Sequence, residues 1–504
     1  MDTTPRSPAD SISQVQKMEQ DVYDLLPKFK AFRNALLPIN KLPPEILSQI
    51  PQSFPIHDLI AATQVCRYWR ATFISCGLLW CNIDFEQGSK ALLCLRKSNG
   101  FPINVTVKGV PDNEALAKLS PHTGRIKSLH LQPRWTAAQS VFKKFTDPTP
   151  NLETLALICR PYAPVASPVP STLLTGNLPK LRSLTLQGLS SDLANFVLPN
   201  LTYFELSNIT SPPLSISLSQ LLAFFERSPL LESVHVDFHG GCVYDAPQQK
   251  IISLKALKAL HISGSKLVGQ GDNSLLARLE LPKGVDVTMI LLIADGESNP
   301  IAHAIPPHPE RLPFISGIKR VHVELLPDHG KCTFRFSGEN GNITVMARWP
   351  MTNPNLGNLM TGSIQSFLPL STEGVEELCI QGYQAPDDSF LSAVRAFESL
   401  PSLHTILMVH CDNTVLLRAL RYHARHLAVP KLRTLRLYLA PQRSISGEDL
   451  MELAKHRVSN GIGLKEISII SPAVLIPVRE VMALRPHVEV VEYKMNDSVP
   501  NFEV

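Results

Sequence analysis

One short hydrophobic phrase recurs along the chain: an apolar residue, two variable positions, an apolar residue, one variable position and another apolar residue, often with proline just before it. It reads IKSLHL at 126–131, PNLETLAL at 150–157, PKLRSLTL at 179–186, PNLTYFEL at 199–206, PLLESVHV at 229–236, KALKALHI at 255–262 and LLARLEL at 275–281. A second set reads GIKRVHV at 317–323, GVEELCI at 374–380, PSLHTILM at 401–408, PKLRTLRL at 430–437 and GLKEISI at 463–469. The closing alternation predicts a short strand with one buried face, because successive side chains on a strand change sides. Proline ahead of it stops the preceding helix and fixes the turn into the strand. Helix-compatible stretches such as 215–228 and 389–400 lie between copies. Leading apolar positions are 26, 29, 20, 30, 26 and 19 residues apart through the first seven copies, and 28, 29 and 32 apart from Val375 onward. A strand–helix unit of that size cannot bury its own apolar face, so neighbouring units must stack.

The phrase resembles an irregular leucine-rich repeat over roughly 120–495. What the resemblance implies is an α/β chain whose larger part is a β/α solenoid. Asn or Cys at the end of the motif is mostly absent, Asn208 being the nearest approach, so a regular horseshoe curvature does not follow. Two stretches break the spacing. LPKGVDVTMILLIADG reads as an extended strand that fits no full unit, and CTFRFSGENGNITVMARW reads as a hairpin near 331–349, inserted in the solenoid or capping it laterally.

Upstream the pattern changes. Val15, Met18, Val22, Leu25, Phe29, Phe32 and Leu36 are spaced alternately three and four, a heptad seam on a helix predicted over 11–39. Ser13-x-x-Gln16 suits its start as a capping box, and Pro27 should kink or split it. The seam is expected to pack on the chain's own helices or first repeats, with self-association the alternative. In 40–86, Pro43 and Pro44 suit a helix start with Ile46, Leu47 and Ile50 behind them, and Asp58 can cap a second helix carrying Leu59 and Ile60. Val65, Cys66, Trp69, Phe73 and Ile74 give a third apolar stripe. Pro51 should end the first helix early.

This stretch resembles an F-box: Leu42-Pro43-x-Glu45-Ile46-Leu47 matches its opening, Val65-Cys66-Arg67-x-Trp69-Arg70 its centre and Leu79-Trp80 its close. The layout is similar to the F-box proteins abundant in mushroom-forming fungi. The resemblance implies docking to a Skp adaptor and, through it, a cullin, with the C-terminal region selecting an unknown protein substrate for ubiquitin transfer. By the same resemblance Leu42, Pro43, Glu45, Ile46, Leu47 and Ile50 lie in or near the adaptor interface, while Leu59, Val65, Cys66, Trp69 and Trp80 are shared with the module's core. The alternative is a leucine-rich-repeat scaffold without a ubiquitin role, its N-terminal helices a mere cap. The organisation expected is a disordered tail over 1–10, the helix, the F-box over 40–86, the solenoid over 87–495 and a tail over 496–504.

Composition narrows the rest. With 48 Lys+Arg against 44 Asp+Glu the net charge of +4 does not announce nucleic acid, and 44% hydrophobic with 18% charged residues fits neither a disordered chain nor a membrane bundle. The longest apolar stretch, around Val287–Ala294, is too short to span a bilayer, and the first residues carry no apolar secretory region. A cytoplasmic or nuclear chain with nine reduced cysteines is expected. No enzyme constellation emerges, so neither catalytic residues nor cofactors are expected. His235, Asp237 and His239 are strand-spaced and read as a polar row rather than metal ligands. GSKLVGQG at 264–271 has Gln270 where a phosphate loop needs lysine, and Cys411, between His410 and Asp412 on a strand, reads as buried and structural. The segment 413–447 holds Arg418, Arg421, Arg425, Lys431, Arg433, Arg436 and Arg443 without an acid and could attract an acidic partner. Alternation leaves Thr185, Glu205, His235, Asp237, His261, His322 and Arg436 outward, available to a target protein.

Overall fold

The computed structural model describes residues 8–110, 113–143, 145, 147–159, 167–168, 178–190, 193, 196–207, 216–237, 242–243, 250–264, 275–292, 312, 315, 317–326, 330–348, 374–383, 390–421, 429–440, 445–473 and 475–495. The expected tails lie outside these, apart from residues 8–10. The chain forms two compact units, 1–156 with 176–180, and 157–175 with 181–504. Among the described residues no helix is long and apolar enough to cross a membrane.

The first unit opens with α1 (Pro8–Leu36), which runs unbroken through Pro27. It starts ahead of Ser13, so the proposed capping box is not its beginning. The expected packing of its seam on the chain's own helices is not found: Val22 is 62% and Phe29 75% exposed, and the other seam residues are exposed as well. There follow α2 (Pro44–Leu47), a tight turn at Ile50–Ser53, α3 (Ile56–Ala62) and α4 (Arg67–Ser75). Pro55, not Asp58, precedes α3, and Asp58 sits in its first turn, where an acid complements the helix dipole. Three parallel strands follow, β1 (Asn82–Asp84), β2 (Ile103–Gly109) and β3 (Ile126–Pro133), with α5 (Gly88–Lys97) between the first two. The boundary between the units falls within β4 (Thr154–Ile158).

In the second unit the recurring phrases become rungs of one sheet. β5 (Ser183–Gln187), β6 (Tyr203–Ser207), β7 (Ser233–Asp237) and β8 (Ala259–Ser263) pair in order and in parallel. One buried row crosses them through Leu184, Phe204, Val234 and Leu260. The repeated proline has a definite role. The leading-leucine N–H groups of Leu201, Leu231, Leu403 and Leu432 donate to the carbonyls three residues back, closing turns with Pro199, Pro229, Pro401 and Pro430 at the second position. Proline's fixed φ suits that position, and the closing leucine is delivered into the core. On the helical side α6 (Leu218–Glu226) starts with a capping box from Ser217 and Gln220 and lays Phe224 and Phe225 against Phe204, ring centres 4.6 and 6.3 Å away.

Two expectations change places at the next rung. LLARLEL is not a rung: Leu276–Arg278 is a helical turn and Leu279–Glu280 bridges Ile252–Ser253 in a separate two-stranded pairing. The strand that fitted no unit is the rung, β9 (Val285–Leu292), parallel to β8. Its longer alternation buries Val285, Val287, Met289 and Leu291 on one side, which the Leu-Ala-Arg-Leu run cannot do. Beyond it come β10 (Ile318–Leu326), β11 (Lys331–Gly338) and β12 (Gly341–Arg348), and the expected hairpin is β11–β12. It is built into the sheet: β12 lies parallel to β9, and β11 lies antiparallel to both β12 and β10. The parallel order then resumes through β13 (Glu377–Gln381), β14 (Thr405–Val409), β15 (Thr434–Tyr438), β16 (Glu466–Ser471) and β17 (Val490–Met495). Helices α7 (Phe390–Glu398), α8 (Asn413–Arg421) and α9 (Gly447–Ser459) connect these last strands.

Candidate functional site

The helical module at 40–86 is built round four side chains with almost no accessible surface: Leu47, Leu59, Phe73 and Trp80. Trp80 Nε1 donates to the Phe73 carbonyl at 2.8 Å, which removes the one polar atom that would make so large a core residue costly. Cys66 begins α4, its sulfur accepting from the Trp69 N–H at 3.5 Å. Trp69 meets Phe73 edge to face at 5.4 Å and donates from Nε1 to Asn40 Oδ1 at 2.7 Å. Asn40 Nδ2 in turn donates to the Asn34 carbonyl of α1, and the Tyr68 hydroxyl donates to the Leu42 carbonyl at 2.6 Å. The N-terminal LP motif, through Leu42, and Asn40 just before it are thereby each tied to the central CRxW motif by a side-chain hydrogen bond.

The expected interface residues divide by this geometry. Leu47, 0% exposed, belongs wholly to the core, and so do Leu59 and Trp80. Leu42, Cys66 and Trp69 are half-buried. Pro43, Glu45, Ile46, Ile50 and Val65 are exposed. α2 ends four residues before Pro51, and the turn at 50–53 buries Pro51 while leaving Ile50 outward. Ile39, Phe54 and Leu78 are exposed apolar residues of the same module that the motif comparison did not name. Their only signal in the sequence is that they fall off the buried helical stripes.

On the polar face of the second unit, the expected target residues share one lateral row. Thr185, Glu205, His235 and His261 are successive partners across β5–β8. The two imidazoles stack with ring centres 4.1 Å apart, and burial first, then the neighbouring His235, holds His261 below its ordinary pKa. Tyr203 donates to Glu205 Oε2 at 2.9 Å, and burial together with that bond pushes its hydroxyl up to about 12. Asp237 lies on the same face of β7, two residues beyond His235. Arg436 is exposed on β15 and paired with Glu466 at 3.2 Å.

His322 does not meet the expectation of availability. It is 6% exposed, with Arg335 Nη1 at 3.2 Å from its Nδ1 and Glu324 3.6 Å from the same guanidinium. Burial, then Arg335, lowers its pKa. Beside it the row turns apolar: Cys379 and Leu407 follow His322 across β13 and β14, and with Val409 they form a small buried cluster against Tyr438.

His239, Arg425, Arg443 and 265–271 lie outside the described residues. No group of three or more His, Cys, Asp or Glu among the described residues could hold a metal ion. Cys411 lies past the end of β14 rather than on a strand, buried, with its thiol donating to the Ile380 carbonyl at 3.1 Å. Two of the seven basic residues at 413–447 are offset from the next helix and strand: Arg421 pairs with Asp449 and Glu452, and Arg436 with Glu466.

No curated protein matches the chain. Residues 39–86, which contain the tied LP and CRxW motifs and the buried Trp80, match the F-box-like family model, and that match supports reading the chain as an F-box protein.

Proposed function

We propose that the chain is the substrate-recognition subunit of a Skp–cullin–F-box ubiquitin ligase. In this reading the helical module docks the Skp adaptor, and the sheet, an irregular leucine-rich-repeat solenoid, presents its polar face to a protein target. The supporting observation is the module itself. Its own core is complete with Leu47, Leu59, Phe73 and Trp80, yet it keeps Ile46, Ile50, Phe54 and Val65 on the surface. Apolar side chains that a small helical module leaves exposed beside a finished core are suited to a partner. F-box domains in general bind Skp adaptors, which gives that partner its class.

The chain's contribution is proximity and orientation, with ubiquitin transfer carried out by the enzymes that the cullin recruits. Such a ligase works in the cytoplasm or nucleus. On the target side, the stretch Thr185–Glu205–His235–His261, with Asp237 beside it, offers hydrogen-bond donors and acceptors to a protein surface.

Co-expression with a Skp adaptor and a cullin tests the reading. The wild-type chain is expected to co-purify with both, and Ile46→Asp/Val65→Asp to lose both while keeping its melting profile. Recovery of the folded wild-type chain free of adaptor would leave a repeat scaffold whose helical cap has no ubiquitin role.

A further inference from the structure

Helix α1 carries its apolar seam on the side turned away from its own module. The opposite face, through Pro27, Lys30, Ala31 and Asn34, lines a cleft of about 580 Å³ together with Asn40 and residues 65–68. Val22, Leu25, Phe29 and Phe32 line a second groove of about 550 Å³ with Leu26 and Lys28, open to solvent. Seven apolar residues at strict heptad spacing stay uncovered on a 29-residue helix. Such a seam is stable when another helix covers it.

We propose that a second copy of this chain covers it, the two α1 helices pairing antiparallel. The flanking charges choose both the partner and the direction. With Val15, Val22 and Phe29 at the first apolar position of each heptad and Met18, Leu25 and Phe32 at the second, Asp21 and Lys28 are successive flanks on one side of the seam. Glu19, Leu26 and Arg33 flank the other side. A parallel pair sets Lys28 against Arg33 of the other copy and Asp21 against Leu26, each twice by symmetry, which makes two repulsions and no attraction. An antiparallel pair centred between Val22 and Leu25 sets Asp21 against Lys28 twice, by symmetry. It also places Val15 opposite Phe32, Met18 opposite Phe29 and Val22 opposite Leu25, a small or flexible side chain facing a larger one in every layer. Flank charges of this kind set pairing and orientation in helical seams. A self-complementary patch is what a two-fold dimer requires.

Pro27 does not stand against the pairing. It occupies the heptad position farthest from the seam, so its missing N–H and any bend arise on the back of the helix, which stays continuous. The seam side chains of two copies bring together on the order of 1,000 Å² of apolar surface, where specific but reversible contacts begin. The dimer would give a ligase built on this chain two target faces.

Sedimentation equilibrium of the full chain up to about 100 μM tests the proposal. The wild-type chain is expected to approach twice the monomer mass. Leu25→Asp, at a site exposed in the single chain, is expected to remain monomeric with an unchanged helical circular dichroism signal and melt. Lys28→Asp sets two acidic pairs across an antiparallel seam and is expected to weaken the dimer roughly fivefold or more. The exchange Asp21→Lys/Lys28→Asp restores both ion pairs and is expected to return wild-type affinity. A wild-type chain that stays monomeric throughout overturns the proposal, including one whose seam proves to be occupied by the adaptor instead. A Leu25→Asp chain that dimerises normally also overturns it. Tighter association of Lys28→Asp overturns the antiparallel arrangement, because in a parallel pair that change relieves the clash with Arg33.

Discussion

Ile46 and Leu47 are adjacent residues of α2, yet one is 46% exposed and the other has no accessible surface. Truncating each to alanine separates the two tasks that the module performs. Leu47→Ala leaves a cavity in the module's core and should cost about 3 kcal/mol, the middle of the range for buried leucines. In a unit of this size each kcal/mol moves the melting temperature by about 2–4 °C, so a fall of about 6–12 °C is expected. Ile46→Ala removes an exposed side chain and should cost below about 1 kcal/mol, a shift within about 4 °C. Its exposed half is what the adaptor would bury, worth roughly 1 kcal/mol, so adaptor binding should weaken about fivefold. Melting followed by tryptophan fluorescence in a Trp135→Phe/Trp349→Phe background, where Trp69 and Trp80 are the remaining indoles, reads the module directly. An Ile46→Ala chain that melts as low as Leu47→Ala would show that α2 faces the other way, and the proposed docking surface would be lost with it.

Three further outcomes follow from the second unit. Gly382→Ala should destabilise by at least about 2 kcal/mol in urea unfolding, because its φ is +74° and a Cβ would fall on the Leu325 backbone; Gly461→Ala, at a similar φ with open space around it, should cost only about 1 kcal/mol. His322 is held below its ordinary value of 6.5 in the folded chain, so the unfolded chain takes up the proton first as the pH falls. Its contribution to stability is complete above about pH 6.5 and lost below it, and His322→Gln should flatten the difference in stability measured between about pH 7.5 and pH 5.5. Burial, reinforced by the neighbouring Cys411 thiol, pushes Cys379 up to about 12, so mass mapping of the native chain after alkylation should find Cys66 and Cys76 modified and Cys379 untouched.

The strand register was legible because each rung needs two inward apolar residues and a closing leucine, and prolines such as Pro199 and Pro430 mark the turn itself. The exchange between 275–281 and 285–292 was not legible. Both stretches satisfy a short apolar phrase, and the longer alternation wins only when laid beside β8. Nor could local pattern say that β12 returns to pair with β9 while β10 pairs onward with β13, since that order is fixed by contacts distant in sequence. His322 alternates outward as expected, but alternation says which face a residue takes and nothing of what closes over it; Arg335 arrives there from the next strand. A trace was present at TILMV in β14, where the unbroken apolar run marks burial on both faces. In the module, motif spacing located the F-box-like stretch, but only the fold separates Leu47 from Ile46. The seam of α1 is visible as a pattern, and the helix expected to break at Pro27 runs on, because that proline lies on its back, away from the seam.

Calorimetric titration of a purified Skp adaptor into the full chain tests the central claim most directly. The account expects saturable one-to-one binding to the wild-type chain, weakened at least about tenfold by Ile46→Asp/Val65→Asp with the melt unchanged. Absence of binding by a wild-type chain that melts normally, or equal affinity in the folded variant, would contradict it.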